Sequence, residues 1–598
     1  MSVLQALARA EAVAGRRAVP AATVCHRHLS ERPLVLVPLT TAGEAGAPLG
    51  ALVGTDRDAP RLLVVPQPLD RELRFRFFAE LADALLPLLE KYADAVDVEP
   101  ATRNREETEV CADALQIVVP NSAAVEYVRL LGRSTRFLRT AEDDPEAPHP
   151  VPAPLPLLGR WLTHYAERAR TPGSALLLAA TELLTRHWTT GQSAMEDQHL
   201  GALLGWIDPP AGLDGPAAAA RAETGRGPDG LLFSPPAGPA TDPAFDNRVL
   251  APALERYDAA RKALRAAAAS EPKPTPPTPT PTPTPGVAPG SPRELESRVE
   301  AAEAEVRRLV ESQLRPAWDD VWRSLDLLRA LPPGAHTEER WKRDRWSFTG
   351  HRDRVRAGEP PQPRRDDAIT AAQKLATRET AQARLSAQEA LDDPLAMAAR
   401  RLAGEAFAGE VVAVEMAYSE GRRPMPRPLV TLVTSDQPQA EPGAKCFRAL
   451  PDAKSPQSAT LVTIAPSGTG GAGGDGVPGG VAEGGAGAVA EGGAGAVAEG
   501  TRWAVTVRLT GGMGSGRTPR EGSVPAAGDP VTFTLFEHEP RGGPALPDAE
   551  QTPWTHGGPP GADRPAAAAP GAAPTTPPTT PPAARADDPD PVTAEDFL

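Results

Sequence analysis

The sequence predicts a multidomain protein: an N-terminal α+β domain, a disordered Pro/Thr linker, a helical stalk or hairpin carrying a small β-barrel, and a disordered C-terminal tail. Three observations predict it. Residues 274–285 nearly alternate Pro and Thr, a composition that cannot bury enough apolar surface to order itself. On both sides of that tract apolar residues recur every three or four positions, and beyond residue 409 the period shortens to two. Two further stretches, 467–500 rich in Gly and Ala and 541–598 rich in Pro, Ala, Thr and Gly, interrupt and end the foldable sequence.

The 598 residues therefore divide into an α+β domain with a helical annex (1–270), the linker (271–292), the stalk (293–408), the barrel with its Gly/Ala insertion (409–540) and the tail (541–598). In the first domain, apolar runs at 34–39, 49–53 and 62–65, separated by Gly, Asp and Pro, read as an antiparallel meander. Phe77, Phe78, Leu81, Leu85, Leu88 and Leu89 give a helix over 70–95 one apolar side, with a kink expected at Pro87. A strand at 115–119 leads to a helix capped by Asn121 or Ser122, and Leu/Ala-rich helices follow at 155–168, 174–188 and 247–268. In the stalk, Leu295, Val299, Ala302, Val306 and Leu309 keep the four-and-three spacing of a coiled coil or helical hairpin. Pro316 is expected to break that helix, and Trp318, Val321, Trp322, Leu325 and Leu328 to stripe a second. Third and fourth helices are expected over 337–356 and 366–390. Runs at 411–414, 429–434, 459–464, 503–509 and 531–536 are the strands of a small closed or half-closed barrel.

A net charge of −15 argues against wholesale coating of nucleic acid and leaves room for a local basic patch. Cys25, Cys111 and Cys446 are odd in number and far apart, which fits neither a disulfide framework nor a Cys-x-x-Cys metal site and points to a reducing compartment. The first residues carry Glu11 and no long apolar core, and no run approaches the roughly 20 apolar residues that span a bilayer. A cytoplasmic location without membrane contact is expected.

Long helices leading through Gly409-Glu410-Val411-Val412 into a barrel, with Val505-Thr506-Val507-Arg508-Leu509 and Gly528-Asp529-Pro530-Val531-Thr532-Phe533 late in it, form a recognisable arrangement. Over 365–540 it resembles the stalk and β-barrel accessory domain of superfamily 1 RNA/DNA helicases. The resemblance implies a module used near nucleic acid or alongside a motor. It does not imply helicase chemistry, because the sequence lacks motor domains with an intact phosphate loop and an acidic Mg²⁺ motif.

Several short patterns invite a chemical reading. Residues 511–518, Gly-Gly-Met-Gly-Ser-Gly-Arg-Thr, keep phosphate-loop spacing with Arg517 in place of lysine, but Pro519, Glu521 and Gly522 do not start the helix that such a loop needs, so a hairpin loop is expected. Cys25-His26-Arg27-His28 offers three ligand types in four residues, of which only alternate ones share a strand face. Asp56-Arg57-Asp58 either holds Mg²⁺ or turns a hairpin, and the short spacing to the next strand favours the turn. No catalytic, cofactor or metal site is assigned. An enzyme built in residues 20–200 around His26, Asp56 or Asp58 is the competing class.

Two surfaces remain as binding candidates. Arg340, Lys342, Arg343, Arg345, Arg352, Arg354 and Arg356 interleave with Trp341 and Trp346, pairing cations for phosphates with planar groups for bases. The competing reading packs Trp341 and Trp346 on Trp318 and Trp322 and leaves the arginines as a solvated face, the commoner outcome on helices. At the chain end, Asp587, Asp588, Asp590, Glu595 and Asp596 precede Phe597 and Leu598, an acidic, apolar-tipped segment suited to docking a basic pocket with a hydrophobic floor. The expected function is a non-catalytic modular adaptor or scaffold with protein partners, accessory to a nucleic-acid motor, with direct nucleic-acid binding through 340–356 as the alternative.

Overall fold

The computed structural model describes residues 3–101, 106–146, 149–269, 291–366, 368–420, 422–450, 455–467, 502–514 and 516–540. They fall into two units that divide between Gln382 and Ala383.

The first unit opens with α1 (Val3–Gly15) and a two-residue strand β1 (Val19–Pro20), followed by the meander β2 (Leu34–Thr41), β3 (Glu44–Gly54) and β4 (Arg61–Val64). Next come α2 (Arg71–Asp94), the hairpin strands β5 (Val96–Glu99) and β6 (Thr108–Cys111), β7 (Ile117–Val119), α3 (Ser122–Thr135), α4 (Pro154–Ala169) and β8 (Leu177–Ala179). The strands form a five-stranded sheet in the order β4-β3-β2-β7-β8. Its β2–β3 and β3–β4 pairs are antiparallel as the alternating turns predicted, while β7 and β8 add parallel to β2 through helical crossovers. Residues 177–179 had been expected to be helical. They form β8 instead because Leu177 and Leu178 pair with Ile117 and Val118 in the sheet interior, where backbone groups need ladder partners. Asp70 caps α2 by accepting from the Leu73 amide at 3.1 Å, and the helix runs through Pro87.

The annex continues with α5 (Ala180–His187), β9 (Trp188–Thr189), which pairs β1, then α6 (Leu200–Ile207), α7 (Gly215–Thr224), α8 (Pro243–Phe245) and α9 (Ala251–Ala269). Beyond residue 290 the chain forms α10 (Pro292–Arg329), α11 (Thr337–Arg356) and α12 (Ala368–Asp392). A Ser291–Glu294 capping box starts α10.

The expected stalk does not stand apart: α10 and α11 belong to the core of the α+β domain, in one buried cluster with β2, β3, α2, α4 and α9. The physical reason is the breadth of the apolar stripe on α10. Val306, Leu309, Val310, Leu314, Ala317, Trp318, Val321, Leu325 and Leu328 are all buried, more than a two-residue seam supplies, and they cover a sheet that would otherwise face water. Gly50 on β3 permits this approach, while at Gly54 a side chain would still meet ordinary contact. A Cβ at Gly50 would stand 2.9 Å from Val310 Cγ1, and one at Gly54 3.5 Å from Trp318 Cη2. Nor does Pro316 break the helix, which runs on to Arg329. The lost backbone donor costs one hydrogen bond, and burying Leu314, Ala317 and Trp318 on either side outweighs it. The helices flanking the Pro/Thr tract, α9 and α10, meet through an Arg256–Glu305 ion pair at 2.7 Å.

The second unit begins in α12 and contains α13 (Pro394–Leu402), β10 (Ala406–Glu415), β11 (Leu429–Thr434), β12 (Lys445–Arg448), β13 (Gln457–Ser467), β14 (Arg502–Leu509) and β15 (Pro530–Thr534). The strands close into a barrel in the order β10-β11-β14-β13-β12-β15. Five of them were legible as period-two runs. The sixth, β12, was missed because its four residues place only Cys446 fully in the core. Phe407 and Phe533 stack at 5.7 Å inside the barrel, with Val430, Leu432, Leu461, Val505, Val507 and Leu509 around them. Ser467 pairs directly with Arg502, so the Gly/Ala tract, itself outside the described residues, enters and leaves at one rung of a hairpin. No helix of the described residues is long and apolar enough to cross a membrane.

Candidate functional site

The basic helix α11 is a joint, and most of its cations are already engaged. Arg340 is buried and donates to the His26 carbonyl at 2.8 Å, while buried Trp341 donates to Asp113 Oδ1 at 2.9 Å. Arg352, also buried, donates to the Ala93 carbonyl at 3.1 Å and to Cys111 Sγ at 3.3 Å. Arg345 donates to the Cys111 carbonyl at 3.2 Å and lies 3.7 Å from Asp97. Lys342 pairs with Glu99 at 3.3 Å, Arg343 with Glu339 and Arg356 with Asp94. Trp346 is half-buried and Arg354 exposed. The alternative nucleic-acid surface over 340–356 thus draws on groups that are mostly engaged within the fold. Three of its nine groups are sealed in the core; of the others, Lys342, Arg345 and Arg356 serve carboxylates or carbonyls of neighbouring elements, and Arg343 pairs with Glu339 on α11 itself. The fully buried Asp344 anchors the same helix from the other side: it accepts from Arg168 Nη2 at 2.6 Å, Ser174 Oγ at 2.8 Å and the Ala175 amide at 2.6 Å.

The residues 25–28 are part of this joint and not a ligand set. Cys25 bridges to Pro333, and burial pushes its thiol pKa up. The His26 amide donates to His187 Nε2 at 3.2 Å, while His187 Nδ1 lies 2.6 Å from the Leu183 carbonyl, which sets the Nδ1–H tautomer. His28 stacks on Trp341 at 4.2 Å, and burial lowers its pKa. Among the described residues no group of three or more His, Cys, Asp or Glu is placed to hold a metal ion.

A second imidazole pair, His164 on α4 and His351 on α11, was invisible in the sequence. Both are buried and their rings stack at 4.4 Å. Burial lowers both pKa values, and Arg354 opposes protonation of each, with Arg168 and the partner ring acting on His164 and Arg160 on His351. His351 is brought down to about 3. A histidine depressed in the folded state binds its proton more readily when unfolded, so its contribution is complete above about pH 6.5 and is lost as pH falls toward 3. At pH 5 this amounts to about 2 kcal/mol for His351 alone. Denaturant unfolding of the first unit at pH 7 and pH 5 tests it: His351→Phe is expected to flatten the acid limb, and equal pH dependence in both proteins counts against the assignment.

The remaining patterns resolve as turns. Asp58 donates its amide to Asp56 Oδ1 at 3.0 Å in the β3–β4 turn, and the Arg57 carbonyl accepts from Trp318 Nε1 at 2.9 Å. Residues 511–514 leave β14 as a loop with Gly512 and Gly514 at φ +72° and +86°, and among the described residues the next element is β15, not the helix a phosphate loop requires. The acidic docking candidates Asp587 to Leu598 lie outside the described residues.

What the sequence did not reveal is a groove of about 690 Å³ in the barrel unit, lined by the end of α12, the start of α13, the end of β12 and the approach to β15. Leu391, Met397, Val524, Pro525 and Val531 make it apolar. Arg448 and Asp529 stand on its wall, with His538 held by Thr534 at 3.0 Å. Burial pulls the Arg448 pKa down while Asp529 opposes that shift, and Arg448 Nη1 is buried without a hydrogen-bond partner. These residues span 391–538, and only barrel closure gathers them. Comparison with protein-family models, curated proteins and solved structures finds no match for the chain.

Proposed function

We propose that this protein is a non-catalytic modular adaptor whose barrel unit takes a segment of a partner protein in the groove beside Arg448. The observation that carries the reading is the pairing of an apolar floor with a part-buried guanidinium that has an unused donor. Such a site suits a peptide that offers an apolar side chain next to a carboxylate. Support also comes from the first unit, where Asp56 and Asp58 turn a hairpin and the His26 backbone braces α11. The barrel's resemblance makes a nucleic-acid motor the favoured class of partner.

Affinity purification with quantitative mass spectrometry, comparing the full chain with Met397→Glu and Arg448→Ala, tests the proposal. A stoichiometric partner is expected, reduced about tenfold by either substitution, the effect of losing one good contact of roughly 1.4 kcal/mol. A partner retained equally by both variants, or none at all, overturns the groove as the docking site.

A further inference from the structure

Five arginines of the barrel unit lie on or near one stretch of its strands and loops. Past β10 and β11 the chain continues as a hairpin, with the Arg427 amide bonded to the Ala417 carbonyl at 2.7 Å and the Ser419 amide to the Met425 carbonyl at 2.8 Å. Arg422 and Arg423 sit exposed near its tip. Arg517, from the loop after β14, lies over the ring of Tyr418 at 5.7 Å, and that ring is 44% exposed. Arg508 faces outward on β14 opposite Leu429, which lies two residues from Arg427 in the chain. Among the described residues none of these five arginines forms an ion pair, while Arg427 Nη1 donates to the Pro426 carbonyl at 2.9 Å. The carboxylates nearest in the chain are Glu415, Glu420 and Glu521, and neither β11 nor β14 contains an acid. The next outward pair along the strands from Leu429 and Arg508 is Thr431 and Thr506, whose hydroxyls are bonded to each other at 3.0 Å.

The geometry points to single-stranded nucleic acid as the ligand of this face: Arg422, Arg423, Arg427, Arg508 and Arg517 meet phosphates while Tyr418 stacks a base. Five guanidiniums against three carboxylates leave local positive charge on a chain that is otherwise acidic, which a polyanion satisfies. An exposed ring beside a cation is the element that separates base stacking from mere counterion attraction. This surface is distinct from the groove, so either assignment can fail alone.

Fluorescence anisotropy of the full chain with a labelled oligo-dT, from 50 to 200 mM salt, tests it. Five phosphate contacts give a log–log salt slope of about −3.5, roughly a hundredfold loss of affinity over that range. Arg422→Ala/Arg423→Ala is expected to flatten the slope by about 1.4, and Tyr418→Ala to weaken binding about tenfold while Tyr418→Phe retains it. Lys342→Ala/Arg343→Ala, on α11, serves as the control and is expected to change nothing. No binding at 50 mM salt, equal loss in the α11 control, or a preference for duplex overturns the proposal. So does binding of a labelled peptide with the sequence of residues 587–598 where the oligonucleotide fails, which would assign the face to an acidic protein segment.

Discussion

Asp344→Ala is expected to destabilise the first unit by about 3–5 kcal/mol, a large share of the roughly 5–15 kcal/mol that holds a typical domain together. The side chain is fully buried and takes three donors, of which Arg168 is a cation only 22% exposed. Removing the carboxylate leaves a poorly solvated guanidinium, a hydroxyl and an amide without their acceptor, and each must then find water or stay unpaired. Asp344→Asn preserves shape but turns one acceptor into a donor, so it faces either the Arg168–Ser174 side or the Ala175 amide wrongly. It is expected to cost nearly as much. Denaturant unfolding and hydrogen exchange measure the effect, with protection falling in α11 and around β8. A loss below 1 kcal/mol in both variants would show that α11 is held mainly by other contacts.

The second large effect is at Trp318, fully buried on α10 between the sheet and Trp322, whose ring lies 6.0 Å away, edge-on. Trp318→Ala is expected to cost about 3–5 kcal/mol, because a cavity of indole size cannot collapse between a helix and a sheet. The substitution also strands the Arg57 carbonyl that the indole N–H satisfies at the β3–β4 turn. Its diagnostic value exceeds its size. In a free stalk the loss would spare the sheet, whereas in a shared core the amides of β2 and β3 lose protection together with those of α10. Unchanged exchange in β2 and β3 would restore the separate stalk.

Local periodicity made much of this protein legible. The meander, α2, the Asn121 cap and five of six barrel strands follow from patterns a few residues long, and each forms for the local reason expected. The failures share another origin. The arginines of α11 looked like a phosphate-binding run because sequence shows charge and not the carbonyls and carboxylates that meet it across the fold. The isolated arginines of the barrel looked unremarkable because Arg422, Arg427, Arg508 and Arg517 come from three segments joined only by strand pairing and loop packing. The groove beside Arg448 and the His164–His351 pair were hidden for the same reason.

Sequence alone determined the longer periodic helices and strands, which face of each is apolar, and where Pro/Thr and Gly/Ala tracts separate them, since those depend on neighbours within a turn or a rung. Only the tertiary structure decided that the Pro/Thr tract links two helices of one core. Apolar stripes carry no address: the stripe of α10 suits a coiled-coil partner or a bare sheet equally, and the uncovered face of β2 and β3 settled which it met.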